Sequence, residues 1–363
     1  MRRSNHKLAW TAALLLSVGL VAAACSDNKS SSSSDTTTTV KGADYSKLSG
    51  TLNGSGSSFQ DALQQKAKTE FAKVATNVTV NYTKSGSGAG KTDLANQVVQ
   101  FAGTDSLIKD ADLPTFKGGE VLYFPIAGAP ITVSFNVAGV KSLALTPDVI
   151  AGIFQGDITT WDDPKIAADN ASAKLPSTKI AVVHRSDASG TTSNFTKFLK
   201  KAAPTVWKLD AGDTVAWPAT TQGAEKNSGV AQLIKSTDGA IGYVDLADAV
   251  GADLTYATVK NSAGKFITAD LQGASAALAG ATVADNLTYD PINAPGDKAY
   301  PITSPTWVIV YAKQTDATVA AALKGYIGFI LTTGQGFVNS VGYAALPDAL
   351  ATKANAQLDK ITT

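Results

Sequence analysis

The sequence predicts an α/β protein whose sheets are flanked by helices. Apolar segments typical of strands alternate along the chain with segments of helical periodicity. Of the 363 residues, 44% are hydrophobic, which is enough for two domains with their own cores. The 31 glycines and 13 prolines fit the many loops that such an alternation requires. A formal net charge of +1 gives no indication of nucleic-acid binding.

Residues 1–24 are predicted to be a lipoprotein signal peptide that is absent from the folded body. Basic residues at the start are followed by the uncharged run 8–24, which ends in small residues directly before Cys25. The run is short for a transmembrane helix, so a cleaved leader is favoured over an uncleaved anchor. Cys25 is the only cysteine and resembles the lipid-accepting cysteine of bacterial lipoproteins.

Residues 25–46 are expected to form a flexible tether, because this Ser/Thr/Asp-rich segment contains little that a core could bury. Loss of the leader removes three basic residues and changes the net charge from +1 to −2. An anion would therefore have to be bound by local groups rather than by the field of the whole protein.

Periodicity and capping residues predict the helices of the body, which begins near Leu48. Apolar residues recur every four positions from Phe59 to Phe71. Thr146 occupies the cap position of another helix, with Pro147 as its first residue, and Gly334 is expected to end a long helix near the C-terminus. Helices are predicted at 59–71, 93–102, 146–154, 228–234 and 317–334.

Short apolar runs bounded by turn residues predict the strands. The run at 179–185 is expected to be buried and to lead into the polar segment that follows it. Strands are predicted at 78–82, 121–126, 131–137, 179–185, 239–244 and 305–311.

Three clusters of glycine and hydroxyl residues, 53–59, 84–92 and 187–192, lie where strands meet helices. In open α/β sheets, ligands bind at such junctions, and a helix N-terminus offers free N–H groups and partial positive charge. A serine at such a place can equally be an ordinary helix cap. Both interpretations stay open for any single cluster.

The segment RSDASGTTSNF, 185–195, raises three alternatives: a serine nucleophile, a helix cap or a cradle for an anion. A hydrolase lacks a base, because His6 is lost with the leader and His184 points away from its neighbour Arg185 on a strand. The loop 85–92 is close to the phosphate-binding loop of NTPases but has Ser85 in place of the first glycine. With so few nitrogen and sulfur ligands, no metal site and no cofactor are expected.

An anion cradle agrees best with the residue types. Arg185 can make paired, charge-assisted hydrogen bonds to an oxyanion, and Asp187 can hold the guanidinium in place. Hydroxyl and N–H donors complete the cradle, namely Ser189, Gly190, Thr191, Ser58 and Ser87.

The same segments resemble the phosphate-binding protein of bacterial ABC phosphate importers, in family order and over about residues 50–350. The resemblance is carried by GSGSSF (54–59), YTKSGSGAG (82–90), FAGTD (101–105), IFQGDITTWDDPKI (153–166), KIAVVHRSDASGTTSNFTKFL (179–199), GAIGYV (239–244), YPITSPTWVIV (300–310) and ALPD (345–348). It implies a two-lobed periplasmic-binding-protein fold of type II, each lobe a sheet flanked by helices. Lobe 1 would comprise 47–126 and 301–363, and lobe 2 would comprise 127–300, with a hinge near 126 and 300.

The resemblance also implies a ligand set. Ser58 stands where the family often has threonine, Asp105 would be the one carboxylate facing the ligand, and Arg185 would be the sole cation. Gly88 and Ala89 depart from the commonest pattern without a change of ligand being expected. The implied phosphate-binding residues are Ser58, Phe59, Ser87, Asp105, Arg185, Asp187, Ser189, Gly190 and Thr191.

The function that the resemblance implies is reception of inorganic phosphate outside the cytoplasm, without catalysis. The expected partners are phosphate, the permease subunits of an ABC importer and the membrane through a lipid on Cys25, and the protein is expected to be a monomer. The alternatives are a receptor for another tetrahedral oxyanion such as sulfate, a secreted phosphatase, and a surface adhesion or signalling protein that binds phosphate incidentally.

Overall fold

A computed structural model describes residues 44–363. The predicted signal peptide, Cys25 and nearly all of the tether lie outside the described residues. The described part forms strands β1 (Gly50–Gly56), β2 (Val78–Thr83), β3 (Phe101–Thr104), β4 (Val121–Asn136), β5 (Ala144–Leu145), β6 (Ala181–Arg185), β7 (Gln222–Ala224), β8 (Ala240–Asp245), β9 (Thr255–Tyr256), β10 (Thr258–Lys260), β11 (Phe266–Ile267) and β12 (Thr303–Tyr311). Its α-helices are α1 (Asp61–Phe71), α2 (Ser87–Ala95), α3 (Pro147–Phe154), α4 (Pro164–Ala167), α5 (Gly190–Ala202), α6 (Lys226–Ser236), α7 (Leu246–Gly251), α8 (Leu271–Ala279), α9 (Ala317–Leu331) and α10 (Asp348–Gln357).

One nine-stranded mixed sheet runs through the described residues in the order β2-β1-β3-β12-β4-β8-β6-β7, with β9 added to β4. Strand β4 is long enough to join two groups of strands. Its residues 121–130 pair with β12, and its residues 131–136 pair with β8. On one side β1 is parallel to β2 and β3, and on the other β6 is parallel to β7 and β8.

The parallel pairings decide where the site lies. Parallel strands place their carboxyl ends at the same edge of a sheet, and the helices that follow begin there. The glycine and hydroxyl clusters follow β1, β2 and β6, so each group of strands presents polar residues and helix N-termini at its own edge.

Buried aromatic and branched side chains hold the helices against the sheet. Phe71 of α1 packs on Tyr326 and Phe329 of α9, with ring centroids 5.3 Å apart in both pairs. By length and composition alone, the segment 317–336 could cross a membrane. Its packing against α1, β1 and β4 identifies α9 as a core helix, since most of its apolar residues are buried there.

Most predicted elements are confirmed, including the helix at 146–154, where the Thr146 hydroxyl accepts a hydrogen bond from the N–H of Val149. The helix predicted at 93–102 is wrong in its position. Helix α2 begins earlier, at Ser87, and ends at Ala95, after which Gln97 adopts a positive φ of 57°. The apolar residues after 100 instead form β3, which pairs with β1 and β12.

Two smaller expectations also need correction. The strands predicted at 121–126 and 131–137 form the single strand β4, because residues 127–130 between them also pair with β12. The helix predicted to end at Gly334 ends at Leu331, and Gly334 lies in the short 3-10 turn that follows.

Candidate functional site

Nine residues were predicted from the sequence to share one site, and the fold brings them together at the edges where the two groups of parallel strands meet. Ser58 and Phe59 follow β1, Ser87 begins α2, and Asp105 follows β3. Arg185 ends β6, and the remaining residues form the turn into α5 and its first residues: Asp187, Ser189, Gly190 and Thr191.

Arg185 is the only arginine beyond residue 3, and it is held by a buried ion pair. Its Nε donates to Asp187 Oδ1 over 2.7 Å, and its Nη2 donates to Oδ2 over 2.6 Å. The Arg185 side chain is 1% exposed. Such a two-point pairing fixes the plane of the guanidinium, which still carries further N–H groups for a ligand.

Lys226 adds a second cation that the sequence analysis did not predict, so Arg185 is not the sole cation in this region. The Lys226 backbone N–H and Nζ both contact the Asp187 carboxylate, over 3.1 and 3.2 Å. Burial opposes ionisation of Asp187, but the hydrogen bonds and charges of Arg185 and Lys226 outweigh it and lower the pKa of Asp187 to about 2. This carboxylate is therefore ionised throughout the physiological range.

Asp105 has the opposite environment. It is 1% exposed, and its carboxylate accepts hydrogen bonds from the hydroxyls of Ser57 (2.6 Å), Ser87 (3.2 Å) and Thr306 (2.6 Å). Burial raises the pKa of Asp105 to about 6, although these hydroxyls and the more distant Arg185 charge act to lower it. The carboxyl can thus gain or lose a proton within one unit of neutrality.

Asp105 follows a strand within the sequence GTDS, where an aspartate could simply cap its own turn, but the contacts do not fit that interpretation. The turn is capped by Thr104, whose hydroxyl accepts the N–H of Ser106 and donates to its carbonyl oxygen. The Asp105 side chain is bonded instead to residues that are distant in sequence.

The segment after β1 supplies a hydroxyl and an N–H group. Ser58 is 3% exposed, and its Oγ accepts the backbone N–H of Asn227 over 3.2 Å. The N–H of Phe59, expected to donate to the ligand, donates here to Ser57 Oγ over 3.0 Å. The Phe59 side chain packs against Tyr343, which anchors this turn in the core.

The start of α5 combines a cap with free donors. Ser189 is the N-cap: its Oγ accepts the N–H of Thr192 over 3.2 Å, so the ordinary-cap interpretation holds for this hydroxyl. A cap that accepts in this way keeps its own proton for donation. A Cβ on Gly190 would lie 2.7 Å from Ser87 Oγ and 2.8 Å from Asp105 Oδ2, so only glycine allows α5 to approach these residues.

Direct contacts join the segments around the site. The N–H of Gly88 donates to the carbonyl oxygen of Ala188 over 3.1 Å, and Asn194 Nδ2 donates to the carbonyl oxygen of Asp105 over 2.6 Å. Lys91, the residue that would contact phosphate in an NTPase loop, forms an ion pair with Asp213 over 2.7 Å instead.

His184 has none of the geometry of a catalytic base. Its ring stacks on Trp217 with centroids 5.0 Å apart, and Nδ1 contacts the carbonyl oxygen of Arg185 over 2.9 Å. Burial lowers the pKa of His184. Within residues 44–363, no group of three or more His, Cys, Asp and Glu side chains is arranged to hold a metal ion.

Sequence reasoning missed several residues of the site. Ser57 and Thr306 lie within motifs already singled out, and a search for hydroxyls near a buried carboxylate would have found them. Asn227 lies in no motif, and a lone asparagine near the start of a helix gives no signal beyond a cap. The missed residues that contact the predicted set include Ser57, Asn194, Lys226, Asn227 and Thr306.

Comparisons with known proteins identify the family and the fold. A family model described as a PBP superfamily domain matches residues 31–333. The phosphate-binding protein PstS 3 of Mycobacterium leprae is 33% identical over 322 residues, covering 84% of this chain and 86% of the relative. The phosphate-binding protein PstS of Xylella fastidiosa is 31% identical over 305 residues, covering 82% of both chains.

Solved structures show the same fold. A high affinity periplasmic phosphate-binding protein bound with phosphate superposes with a TM-score of 0.73 at 23% identity, covering 85% of this chain and 94% of that one. A phosphate-binding protein from Stenotrophomonas maltophilia gives a TM-score of 0.67 at 21% identity, with 85% and 93% covered. The fold is thus the two-lobed fold of periplasmic binding proteins, as predicted. Given identity above 30% over most of both chains, this protein belongs to the PstS family of phosphate-binding proteins.

Proposed function

We propose that this protein is an extracytoplasmic receptor that binds inorganic phosphate and delivers it to an ABC importer. One observation carries the proposal: a fixed guanidinium and a buried carboxylate, Arg185 and Asp105, lie in one cluster of hydroxyl and N–H donors. The donors suit a small oxyanion, and the carboxylate suits an oxyanion that still carries a proton.

The role of Asp105 is selection by protonation state. Phosphate near neutrality carries at least one proton, which it can donate to the carboxylate. Sulfate carries none, so its oxygen would face the carboxylate oxygen without a hydrogen between them. A site that contains such a hydrogen bond rejects an analogue lacking it much more strongly than shape alone could. This disfavours the alternative of a sulfate receptor.

Neutral donors account for the binding of a desolvated anion without excess positive charge. Removing phosphate from water is costly unless its oxygens are fully hydrogen-bonded. Each hydrogen bond to a charged group contributes roughly 1.5–3 kcal/mol. Several such bonds, after ordering costs, reach the roughly −8 kcal/mol of micromolar binding.

A phosphatase is the alternative from a different class, and the contacts of the site do not favour it. A serine nucleophile needs an adjacent base. The Asp105 carboxylate is shared by the hydroxyls of Ser57, Ser87 and Thr306 rather than paired with a single serine. Ser189 caps its helix, and His184 is stacked on Trp217. Binding followed by release therefore agrees better with the geometry than turnover.

Lobe closure is the proposed mechanism of capture. We assign lobe 1 to 47–126 and 301–363, and lobe 2 to 127–300. Strand β4 changes its pairing partner from β12 to β8 after residue 130, which supports a passage of the chain from lobe 1 to lobe 2 in this region. Because the donors come from both groups of strands, bound phosphate would join the lobes by contacting both.

Residues 1–24 are proposed to be a leader and Cys25 the acylated first residue of the mature protein, followed by a tether to residue 46. The support is the position of the only cysteine after an apolar run. Cys25→Ala should move the protein from the membrane fraction to the soluble fraction, measured by fractionation and immunoblotting. An unchanged membrane fraction would contradict the anchor.

Isothermal titration with phosphate and with sulfate tests the receptor function directly. We expect micromolar or tighter binding of phosphate and much weaker binding of sulfate. Incubation with a chromogenic phosphate ester separates receptor from hydrolase, and we expect no turnover. Equal affinity for the two anions, or steady ester hydrolysis, would refute the proposed function.

A further inference from the structure

Asn227, near the start of α6, is the most connected residue around the site that no motif singled out. It is fully buried, and its backbone and side chain together contact residues from four separate segments. These partners are Ser58, Arg185, Thr191 and Asp245. Three of the four belong to the predicted ligand set.

The Arg185 guanidinium fixes which way the Asn227 amide points. Oδ1 accepts from Arg185 Nη1 over 3.0 Å, and Nδ2 donates to a carboxyl oxygen of Asp245 over 2.7 Å. Burial and the neighbouring Asp248 raise the pKa of Asp245 well above its ordinary value, so the orientation depends on Arg185 rather than on a charge at Asp245. A guanidinium has only donors, so a flipped amide would set its NH₂ against those donors, and this contact would be repulsive. Nδ2 therefore also faces Thr191 Oγ1, at 3.2 Å, as a donor.

This orientation decides what the neighbouring hydroxyls can do. Thr191 Oγ1 accepts from the Asn227 side chain, and Ser58 Oγ accepts from the Asn227 backbone N–H. A hydroxyl that accepts from one neighbour keeps its own proton for another. Both hydroxyls can therefore donate to an anion. The Arg185 guanidinium beside them is held by Asn227 Oδ1, a neutral oxygen that does not cancel its charge.

We propose that Asn227 is a positioning residue that holds the Arg185 guanidinium and turns the Thr191 and Ser58 hydroxyls into donors toward the bound anion. The inference rests on the proposed function, because it names the residue that orients the donors of the same phosphate site. Asn227 does not itself contact the ligand in this scheme. Arg185 holds the amide in its orientation, and a carboxyl oxygen of Asp245 accepts from its Nδ2.

Titration of Asn227→Ala with inorganic phosphate tests the proposal. Loss of the side-chain bonds to Arg185 and Thr191 should weaken binding by about ten- to a hundredfold. Asn170→Ala is the matched control: Asn170 is also buried and makes three side-chain hydrogen bonds, but only to the backbone of Ala144 and Ile166. We expect the control to be destabilised to a similar extent and to bind phosphate like the wild type.

A double-mutant cycle separates orientation from general support. Thr191→Val removes the hydroxyl that Asn227 is proposed to orient. If Asn227 acts through that hydroxyl, the effect of Asn227→Ala on phosphate affinity should be at least severalfold smaller in the Thr191→Val background. Strict additivity of the two effects would overturn the orienting role.

A near-isosteric variant guards against misfolding of the alanine variant. Asn227→Asp keeps the size and an oxygen for Arg185, but its second oxygen faces Thr191 and Asp245 as an acceptor in place of the amide donor. The Thr191 proton then turns toward residue 227 and away from the ligand. Binding of phosphate at pH 8 should therefore be at least severalfold weaker than in the wild type. Binding within about twofold of the wild type would count against the proposal.

The outcomes of these titrations separate the proposed function of the protein from the proposed role of Asn227. If the wild type does not bind phosphate, the proposed function fails. If the wild type binds phosphate and Asn227→Ala binds within about twofold of it, the proposed function stands and the role of Asn227 is refuted.

Discussion

The two acidic residues of the site, Asp187 and Asp105, differ in what surrounds them. Asp187 is paired with Arg185 and Lys226, and its pKa is lowered to about 2. Asp105 is bonded to three hydroxyls, and no cation within residues 44–363 forms an ion pair with it; burial raises its pKa to about 6. The same functional group is thus a permanent charge in one place and a group poised to exchange a proton in the other.

The difference teaches how a site in a nearly neutral protein can bind an anion and also choose among anions. The Arg185 and Asp187 pair supplies a guanidinium of fixed position whose charge is partly balanced. The Asp105 pocket supplies a carboxylate that accepts a proton but would repel a bare oxygen. In the proposed site, attraction and discrimination would therefore be carried by separate groups, and each could be changed without the other.

Arg185→Ala should have the largest effect, because it removes the positive charge of the Arg185 and Asp187 pair altogether. Loss of two or more charge-assisted hydrogen bonds should weaken phosphate binding by about a thousandfold. The lobe closure proposed above should disappear with it. Calorimetry measures the first effect, and small-angle scattering with and without phosphate measures the second.

Arg185→Lys is the matched control for that experiment, since it keeps the charge but not the paired geometry. We expect intermediate binding and partial compaction. If Arg185→Ala bound phosphate near wild-type strength, the anion site would lie elsewhere.

Asp105→Asn breaks the second part of the comparison while leaving the first intact. The amide keeps the size, removes the charge and can donate to either anion. We expect the preference for phosphate over sulfate to narrow by about a hundredfold, mainly because sulfate is admitted. Competition titrations on both proteins measure this preference, and equally strong rejection of sulfate by the variant would show that Asp105 is not the discriminator.

Asp187→Asn tests the ion pair through stability. A carboxylate whose pKa is lowered in the folded state stabilises the fold at pH values above its ordinary pKa of 3.8. This contribution is lost as the pH falls toward about 2, the pKa of Asp187 in the fold. The substitution should therefore cost about 2 kcal/mol at pH 7 and much less at pH 2. Urea unfolding at the two pH values measures the difference, and a cost that did not depend on pH would argue against the pair as its source.

The fold was largely predictable because its helices and strands carry strong local signals. Thr146 and Pro147 predicted the start of α3, and the four-residue spacing of apolar residues from Phe59 to Phe71 predicted α1. The segment 96–104 was not predictable in this way. Its residues become β3 through pairing with two strands that are distant in sequence, and no local pattern distinguishes them from the end of a helix.

The residues of the site also differ in whether local sequence could predict them. Residues in contiguous motifs, such as Arg185 to Thr191, could be grouped from the sequence because the chain itself keeps them close. Thr306 and Asn227 reach the site through the packing of β12 and α6, and neither has a residue type that indicates an anion. The dual use of Ser189, as cap and potential donor, could not be decided before the Thr192 contact was known.

The smallest expected effect concerns the wild type and its response to pH. Because the pKa of Asp105 is raised to about 6, the carboxyl becomes protonated as the pH falls through that value, and it then has a proton to offer sulfate. Between pH 7 and pH 5 the preference for phosphate should fall by about tenfold, since the ionised fraction of Asp105 falls by that factor across its pKa.

Asp105→Asn is the control, because it lacks this titration. Its preference for phosphate over sulfate should stay nearly constant over the same range, apart from the ionisation of phosphate itself, which affects both proteins equally. Competition titrations of both proteins at pH 7, 6 and 5 measure the two curves. Parallel curves would mean that protonation of Asp105 does not set the choice of anion, even if the carboxylate contacts the ligand.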